Sequence, residues 1–229
     1  MRLVLFDIDG TILTARGAGR RALAAALKEV YGTAGDIERY DLRGRTDPRI
    51  VFDLMEGAGL ARPAVHERLD DCFEAYARGL AAEVGDGSGV VMHPGIADLV
   101  RRLDGAPEAL VGLLTGNIEA GARIKLEPTG LRPYFRLGAY GSDHLDRKQL
   151  PALAARRAHT LTGKSFEPEK VVVIGDTPHD IECARHFGAT AVAVATGLYT
   201  RESLEAERPD LLFDDFSNVE AAFAKLLPR

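Results

Sequence analysis

Five short runs of apolar residues recur along the chain, and most of them end abruptly in small or acidic residues. They occupy residues 3–6, 110–114, 171–174, 191–195 and 211–213. Each run has the length of a strand and no polar face, which is typical of parallel strands covered by helices on both sides of a sheet. Helical patterns lie between most of the runs. The sequence therefore predicts an α/β fold with a doubly wound, mostly parallel sheet.

One long interval, residues 15–89, interrupts this alternation because it contains helical patterns and no strong strand. Leu23, Leu27 and Val30 follow the spacing of one helix face, and Gly32 is placed to end that helix. The interval closes in the flexible sequence Gly-Asp-Gly-Ser-Gly. We predict a small all-helical domain at 15–89, inserted into a core domain formed by residues 1–14 and 90–229. A helical layer within one single domain would explain the same pattern.

The first apolar run ends in two carboxylates, Asp7 and Asp9. Ligands bind beyond the carboxyl ends of the strands in open parallel sheets, and residues two apart in an extended chain point the same way. Such carboxylates repel each other unless a cation joins them or one holds a proton. Mg²⁺ suits this position, since it prefers oxygen ligands and shares them with substrate phosphates. A helix cap or a fragment of a calcium loop would give a similar local pattern.

Two other apolar runs end in residues that suit the same chemistry. Thr115, Gly116 and Asn117 follow the second run and offer neutral donors for phosphate oxygens. Asp176 and Asp180 follow the third run as another acidic pair. Because the carboxyl ends of parallel strands share one edge of the sheet, we expect these side chains to converge there with the first acidic pair.

A phosphate site at this edge also needs a basic side chain. We choose Lys148, which lies between the second and third motifs, and its neighbour Arg147 is the competitor. Arg43 and Arg45 in the helical interval are candidates for recognising an anionic substrate, although surface salt bridges would explain them equally well.

These motifs resemble the four motifs of the haloacid dehalogenase superfamily. The matching segments are Asp7-Ile8-Asp9-Gly10-Thr11, Thr115-Gly116-Asn117, Lys148 and Gly175-Asp176-Thr177-x-x-Asp180. The resemblance covers the whole chain, and the helical interval has the position of the family's small helical cap. It departs from the family at Lys148, where a Lys-Pro-x-Pro sequence is frequent and this chain reads Lys-Gln-Leu-Pro. The resemblance implies a Rossmann-like core with a helical cap domain.

The resemblance also implies a reaction. Asp7 attacks phosphorus and carries the phosphoryl group, while Asp9 acts first as an acid and then as a base. Mg²⁺ is held by Asp7, the backbone carbonyl of Asp9 and Asp176, and Asp180 orders the surroundings of the metal. The phosphate oxygens are held by Thr115, Gly116, Asn117 and Lys148.

Asp9 narrows the reaction within the superfamily, because the dehalogenases lack this residue and the ion-pumping ATPases have threonine there. The resemblance therefore favours a phosphatase acting on a small metabolite, either a phosphoglycolate-like compound or a sugar phosphate. A phosphomutase of the β-phosphoglucomutase type is the near alternative. A receiver-like signalling module also clusters aspartates around Mg²⁺, but the helical interval and Asp9 argue against it. A binding protein that has lost turnover is a third possibility.

Charge and composition limit the partners and the compartment. A net charge of −5 argues against nucleic acid or an anionic membrane as the main partner, so we expect a small phosphate ester. No uninterrupted apolar run reaches the roughly 18 residues of a membrane span, and the early acidic pair argues against a signal peptide. Cys72 and Cys183 lie in amphipathic patterns, which predicts reduced, packed thiols and a cytoplasmic location. The sequence favours neither a monomer nor a homodimer.

Overall fold

The structure is a computed structural model that describes residues 1–228. Its strands are β1 (Arg2–Phe6), β2 (Leu13–Thr14), β3 (Val91–Met92), β4 (Ala109–Leu114), β5 (Gly138–Ala139), β6 (Val171–Gly175), β7 (Thr190–Val194) and β8 (Leu211–Phe213). Six of them form a parallel sheet in the order β5-β4-β1-β6-β7-β8. The five predicted strands are confirmed, and the fold class is the predicted α/β class. The sequence analysis missed the short strands β2, β3 and β5.

The position of β1 decides where a ligand can bind. Phe6, the last residue of β1, pairs with Leu113 of β4 on one side and with Ile174 of β6 on the other. From β1 the chain first builds the sheet outward through β4 and β5, and then returns to add β6, β7 and β8 on the opposite side. The carboxyl end of β1 therefore lies at a topological switch point, where α/β sheets leave a crevice for ligands.

Ten α-helices accompany the strands within residues 1–228. They are α1 (Ala18–Tyr31), α2 (Asp47–Gly57), α3 (Arg62–Glu67), α4 (Leu69–Val84), α5 (Ile96–Asp104), α6 (Glu119–Leu126), α7 (Leu150–Thr162), α8 (Pro178–Phe187), α9 (Arg201–Ala206) and α10 (Val219–Leu226). None of them is both long and apolar enough to cross a membrane.

Helices α1 to α4 occupy the interval 15–89, as the apolar spacing predicts. Gly32 ends α1 in the left-handed conformation with φ of 78°, and its N–H donates to the carbonyl of Lys28. Thr46 is the N-cap of α2, where its hydroxyl accepts a hydrogen bond from the Arg49 N–H. The two chain segments that lead into and out of the interval pair as β2 and β3, antiparallel. The division into a core domain and an inserted domain stays a prediction.

The alternation of side chains along β1 separates the core into two apolar clusters. Val4 and Phe6 belong to a cluster that continues into α1 and the other helices of the interval 15–89. Leu3 and Leu5 face the opposite side, where α7 and α8 cover the sheet. Because both faces of the sheet are buried, the strands carry no polar face. Cys72 and Cys183 are buried, unpaired thiols, which confirms their predicted packing.

Candidate active site

The carboxyl ends of β1 and β6 bring three predicted aspartates together. Oxygens of Asp7, Asp176 and Asp180 lie within 4.8 Å of one another, and all three residues are buried. The Asp7 N–H donates to the carbonyl of Ile174, the last but one residue of β6, over 2.9 Å. The parallel register thus aligns the two strand ends, and three of the four carboxylates that were expected to converge there lie together.

Two glycines allow the backbone to approach Asp176 closely. A Cβ on Gly10 would lie 2.2 Å from an Asp176 oxygen, and one on Gly197 would lie 1.8 Å from the same oxygen. Gly10 also has φ of 83°, which favours glycine in the turn after Asp9. Thr11, on the far side of this turn, donates its hydroxyl to Asp176 over 3.2 Å. The sequence after β1 therefore forms part of the wall around the Asp176 carboxylate.

Asp180 is engaged with the protein on both of its oxygens. One oxygen accepts from the N–H of Thr177 at 3.1 Å, which belongs to the capping box of α8, and also from the Thr177 hydroxyl at 2.7 Å. The other accepts from the guanidinium of Arg147. Asp180 therefore links Thr177 and Arg147 beside Asp7 and Asp176, and its supporting role stays a prediction.

Of the two adjacent basic residues considered for the site, Arg147 faces the aspartates, whereas the chosen residue, Lys148, does not. Arg147 is buried, with Nη2 3.2 Å from an Asp7 oxygen, whereas Lys148 points outward and its Nζ pairs with Glu182 at 2.7 Å. Both belong to a short 3₁₀ turn, Arg147–Gln149, in which successive side chains leave the turn in different directions. Only one of two neighbours can then face the site, and packing against α8 selects Arg147.

Burial and mutual repulsion raise the pKa values of two aspartates in this cluster. Burial raises the pKa of Asp7 to about 6, and Asp180 and Asp9 add to the rise while Arg147 opposes it. Burial, together with Asp180 and Asp7, raises the pKa of Asp176 well above its usual range. If all three carboxylates are ionised, the single guanidinium leaves a net charge of −2 in this cluster. A divalent cation with oxygen ligands would balance that charge, so the residues fit such an ion.

Asp9 points away from the three clustered aspartates. One of its oxygens, Oδ2, lies 2.8 Å from Nδ2 of Asn117 and 2.6 Å from Nζ of Lys125. Sequence analysis missed Lys125, which is buried although it belongs to the amphipathic helix α6. No local signal marked it, because Asn117 lies before α6 begins and a lysine on an amphipathic helix normally faces water.

The segment Thr115-Gly116-Asn117 lies at the carboxyl end of β4, beside Asp9. The hydroxyl oxygen of Thr115 accepts from Nδ2 of Asn117 at 2.7 Å and from its N–H at 3.3 Å. Gly116 is required by a close approach of the backbone, because a Cβ there would lie 1.9 Å from the carbonyl oxygen of Arg45. The structure therefore brings all three predicted neutral residues to the site.

Residues at the start of α2 form hydrogen bonds with the chain around Gly116. The Asp47 N–H donates to the carbonyl of Gly116 over 2.7 Å, and the Asp47 carboxylate accepts from the Ile118 N–H over 2.8 Å. The hydroxyl of Thr46 donates to the carbonyl of Leu145 over 2.7 Å. Burial raises the pKa of Asp47 to about 6, against the effect of Lys125. Sequence analysis gave Asp47 no part in the site, because its partners lie far along the chain.

Asp7, Asp9 and Asp176 line a cavity with a volume of about 360 Å³. Arg43 and Arg45 line the same cavity. Arg43 makes two contacts of 2.7 and 2.8 Å with Asp41, and its guanidinium lies 4.7 Å from the ring centre of Tyr199. Arg45 lies 3.6 Å from Asp53, a carboxylate that Arg49 contacts at 2.9 Å. Two arginines thus share one carboxylate at Asp53, which leaves positive charge on this wall of the cavity.

Comparisons with known proteins agree with this geometry. A family model described as haloacid dehalogenase-like hydrolase matches residues 4–185. A phosphoglycolate phosphatase from Synechococcus elongatus is 30% identical over 234 residues, which cover 99% of this chain and 99% of that protein. A probable phosphatase, IndB, from Dickeya dadantii is 27% identical over 226 residues, covering 98% and 94% of the two chains. The crystal structure of CbbY from Rhodobacter sphaeroides in complex with phosphate has the same fold, with a TM-score of 0.69, 21% identity and 96% of each chain covered.

Proposed function

The chain belongs to the haloacid dehalogenase-like hydrolases and is a phosphatase of that family, and from this premise we propose that it hydrolyses a small phosphate monoester with the help of Mg²⁺. One observation carries the proposal. Asp7, Asp176 and Arg147, which are buried together with Asp180, line the cavity that the neutral phosphate-binding candidates also line. Carboxylates alone repel a phosphate dianion, so this chemistry needs both the guanidinium and a cation.

The proposed reaction has two steps. In the first, an oxygen of Asp7 bonds to phosphorus, the bond from phosphorus to the ester oxygen breaks, and Asp9 gives that oxygen a proton. In the second, a water oxygen bonds to phosphorus while Asp9 takes its proton, and the bond from phosphorus to Asp7 breaks to release inorganic phosphate. The position of Asp9 supports this role, since it lines the cavity with a half-exposed side chain while Asp7 is buried.

The metal would be held by Asp7, Asp176 and the backbone carbonyl of Asp9, and it would supply positive charge between the nucleophile and the phosphate. The Thr115 hydroxyl and the Gly116 N–H would hold phosphate oxygens as neutral donors. Arg147 takes the part first expected of Lys148, because its guanidinium already contacts Asp7. Its Nε is buried and has no hydrogen-bond partner within residues 1–228. Such a donor suits an incoming phosphate oxygen.

The cavity also limits the substrate. A volume of about 360 Å³ suits a small metabolite rather than a macromolecule. The surplus positive charge at Arg45 favours a substrate with a second anionic or strongly polar group, such as a phosphoglycolate-like compound or a sugar phosphate. We propose that residues 15–89 act as a cap domain that encloses this substrate, with the β2–β3 ribbon as the connection to the core.

A screen of small phosphate esters with Mg²⁺ tests the proposal, with released inorganic phosphate as the readout. We expect release from the wild-type protein and loss of at least about 1,000-fold in turnover for Asp7→Asn. This variant should remain folded, since burial already disfavours the charge of Asp7. Failure to release phosphate from any ester, or full turnover by Asp7→Asn, would contradict the proposal. Release that requires a sugar acceptor would point to the phosphomutase instead.

A further inference from the structure

Lys125 is a buried lysine that the reaction described above does not use. Lys125 is 4% exposed, and its ammonium lies 2.6 Å from Asp9 Oδ2 and 2.6 Å from Asn117 Oδ1. Helix α1 packs close to it, because a Cβ on Gly19 of α1 would lie 3.5 Å from its Nζ. A lysine is rarely buried unless it is paired. Its two partners, Asp9 and Asn117, are both residues of the candidate active site.

The first consequence concerns the proton of Asp9. Oδ2 accepts from both Lys125 and Asn117, so the two lone pairs of that oxygen are used. A proton on Oδ2 would have to displace one of these donors. The other oxygen, Oδ1, accepts no hydrogen bond from residues 1–228. When Asp9 is protonated, its proton is therefore directed to Oδ1.

The second consequence concerns Asn117 and Thr115. An ammonium only donates, so the amide atom that faces Lys125 must be the oxygen. The amide nitrogen of Asn117 then faces Asp9 and the hydroxyl oxygen of Thr115. That hydroxyl oxygen already accepts two hydrogen bonds, so its own hydrogen is left to donate elsewhere. A phosphate oxygen in the cavity is a suitable acceptor.

We propose that Lys125 is a positioning residue that sets the direction of two protons in the site, the acid proton on Oδ1 of Asp9 and the hydroxyl proton of Thr115. The inference rests on the proposed function, because it assigns these protons to the leaving oxygen and to the phosphate. Lys125 acts through Asn117 and Asp9 and is not itself a catalytic residue.

The test compares two phosphate esters whose leaving groups differ in how much they need protonation by Asp9. An alkyl phosphate such as phosphoglycolate has a poor leaving group, which needs a proton from Asp9. The leaving group of 4-nitrophenyl phosphate is good and hardly needs that proton. For Lys125→Met we expect kcat/KM to fall about 100-fold with the alkyl ester and no more than about 10-fold with the aryl ester, since general acid catalysis contributes at least about 100-fold. The ratio kcat/KM reports the steps up to transfer onto Asp7, so hydrolysis of the intermediate does not obscure the result.

Lys28→Met is the matched control. Lys28 lies in the last turn of α1, as Lys125 lies in the last turn of α6, but its side chain is exposed. Methionine preserves the length and the helix preference of lysine in both variants. We expect Lys28→Met to match the wild type with both esters. An equal loss for the two esters in Lys125→Met, or no loss, would overturn the inference.

Crystal structures of the wild type and of Lys125→Met separate this inference from the proposed function. Without the ammonium, we expect the Asn117 amide to lose its single orientation and the Asp9 carboxylate to turn from its present position. If both side chains keep their orientation in Lys125→Met, the inference is wrong even when the wild type is an active phosphatase. If the wild type releases no phosphate, the proposed function fails, and the two structures still decide what Lys125 positions.

Discussion

Arg147 and Lys148 are adjacent cations that the fold places in different surroundings. The guanidinium of Arg147 contacts two buried carboxylates, those of Asp7 and Asp180, whereas Lys148 forms a surface pair with Glu182. Although burial opposes a charged guanidinium, Asp180 and Asp7 raise the pKa of Arg147, so it stays charged. The two residues therefore offer a test of the site by single substitutions of the same kind.

Arg147→Met should destabilise the protein by about 3–5 kcal/mol, because it leaves buried carboxylates without their partner. Lys148→Met should leave the free energy of unfolding close to the wild-type value, since exposed ion pairs contribute little. Urea unfolding in the presence of a chelator measures both values. Phosphate release should fall strongly in Arg147→Met and stay at the wild-type level in Lys148→Met. Comparable effects of the two substitutions would show that the assignment of Arg147 is wrong.

At the scale of elements, α6 depends on a residue of the interval 15–89. Its N-cap residue, Ile118, has no side chain that can accept a hydrogen bond, and the Asp47 carboxylate at the start of α2 accepts from its N–H instead. A residue of α2 thus completes the end of α6, and the same helix carries Lys125. The position of α2 and the order of α6 are therefore coupled by one side chain.

Asp47→Asn tests this contact, because asparagine keeps an oxygen acceptor and cannot ionise. The folded-state pKa of Asp47 is about 6, above its ordinary value of 3.8, so the folded protein holds this proton more tightly than the unfolded chain. The stabilisation is present at low pH and is lost as the pH rises through about 6, with an upper limit of about 3 kcal/mol. The free energy of unfolding of Asp47→Asn, relative to that of the wild type, should therefore increase from pH 4.5 to pH 7.5.

Chemical unfolding across this pH range gives the measurement for Asp47→Asn. Asp98→Asn, on the exposed surface of α5, serves as the control for the loss of one negative charge. A difference between Asp47→Asn and the wild type that does not vary with pH would mean that Asp47 is not held in a buried, proton-binding environment.

For the whole molecule, the acidic cluster links metal binding to pH. Burial raises the pKa of Asp7 to about 6 and also raises that of Asp176, so the metal-free protein binds protons that the unfolded chain releases. In chelator, the free energy of unfolding should fall as the pH rises through about 6. Because Mg²⁺ replaces these protons, it should weaken the pH dependence of the free energy of unfolding. At pH 7.5, a Mg²⁺ concentration of 100 times its Kd should raise the free energy of unfolding by about 2.7 kcal/mol.

Thermal or urea unfolding with chelator and with Mg²⁺ measures this linkage. Asp7→Asn provides the control, since it removes one ionisable ligand and should weaken both the pH dependence and the effect of Mg²⁺. If Mg²⁺ leaves the wild-type stability unchanged at pH 7.5, the cluster does not bind that ion.

The sequence by itself determined the strands of the sheet, the helical interval and the convergence of Asp7, Asp176 and Thr115. These features depend on local patterns, because apolar periodicity selects strand or helix and parallel strands must end at a common edge. The resemblance of the motifs then indicated the family, which the comparisons confirmed. Site residues that directly follow a buried strand could therefore be predicted from the sequence alone.

Only the tertiary structure decided which further side chains complete the site. Lys125 meets Asp9 across 116 positions of the chain, and Asp47 meets Ile118 across 71. No local pattern marks such partners, because a lysine or an aspartate on an amphipathic helix normally faces water. The choice of Arg147 over Lys148 likewise depended on how one turn packs against α8. Contacts between distant segments are set by the packing of whole elements, and a single sequence does not contain that geometry in readable form.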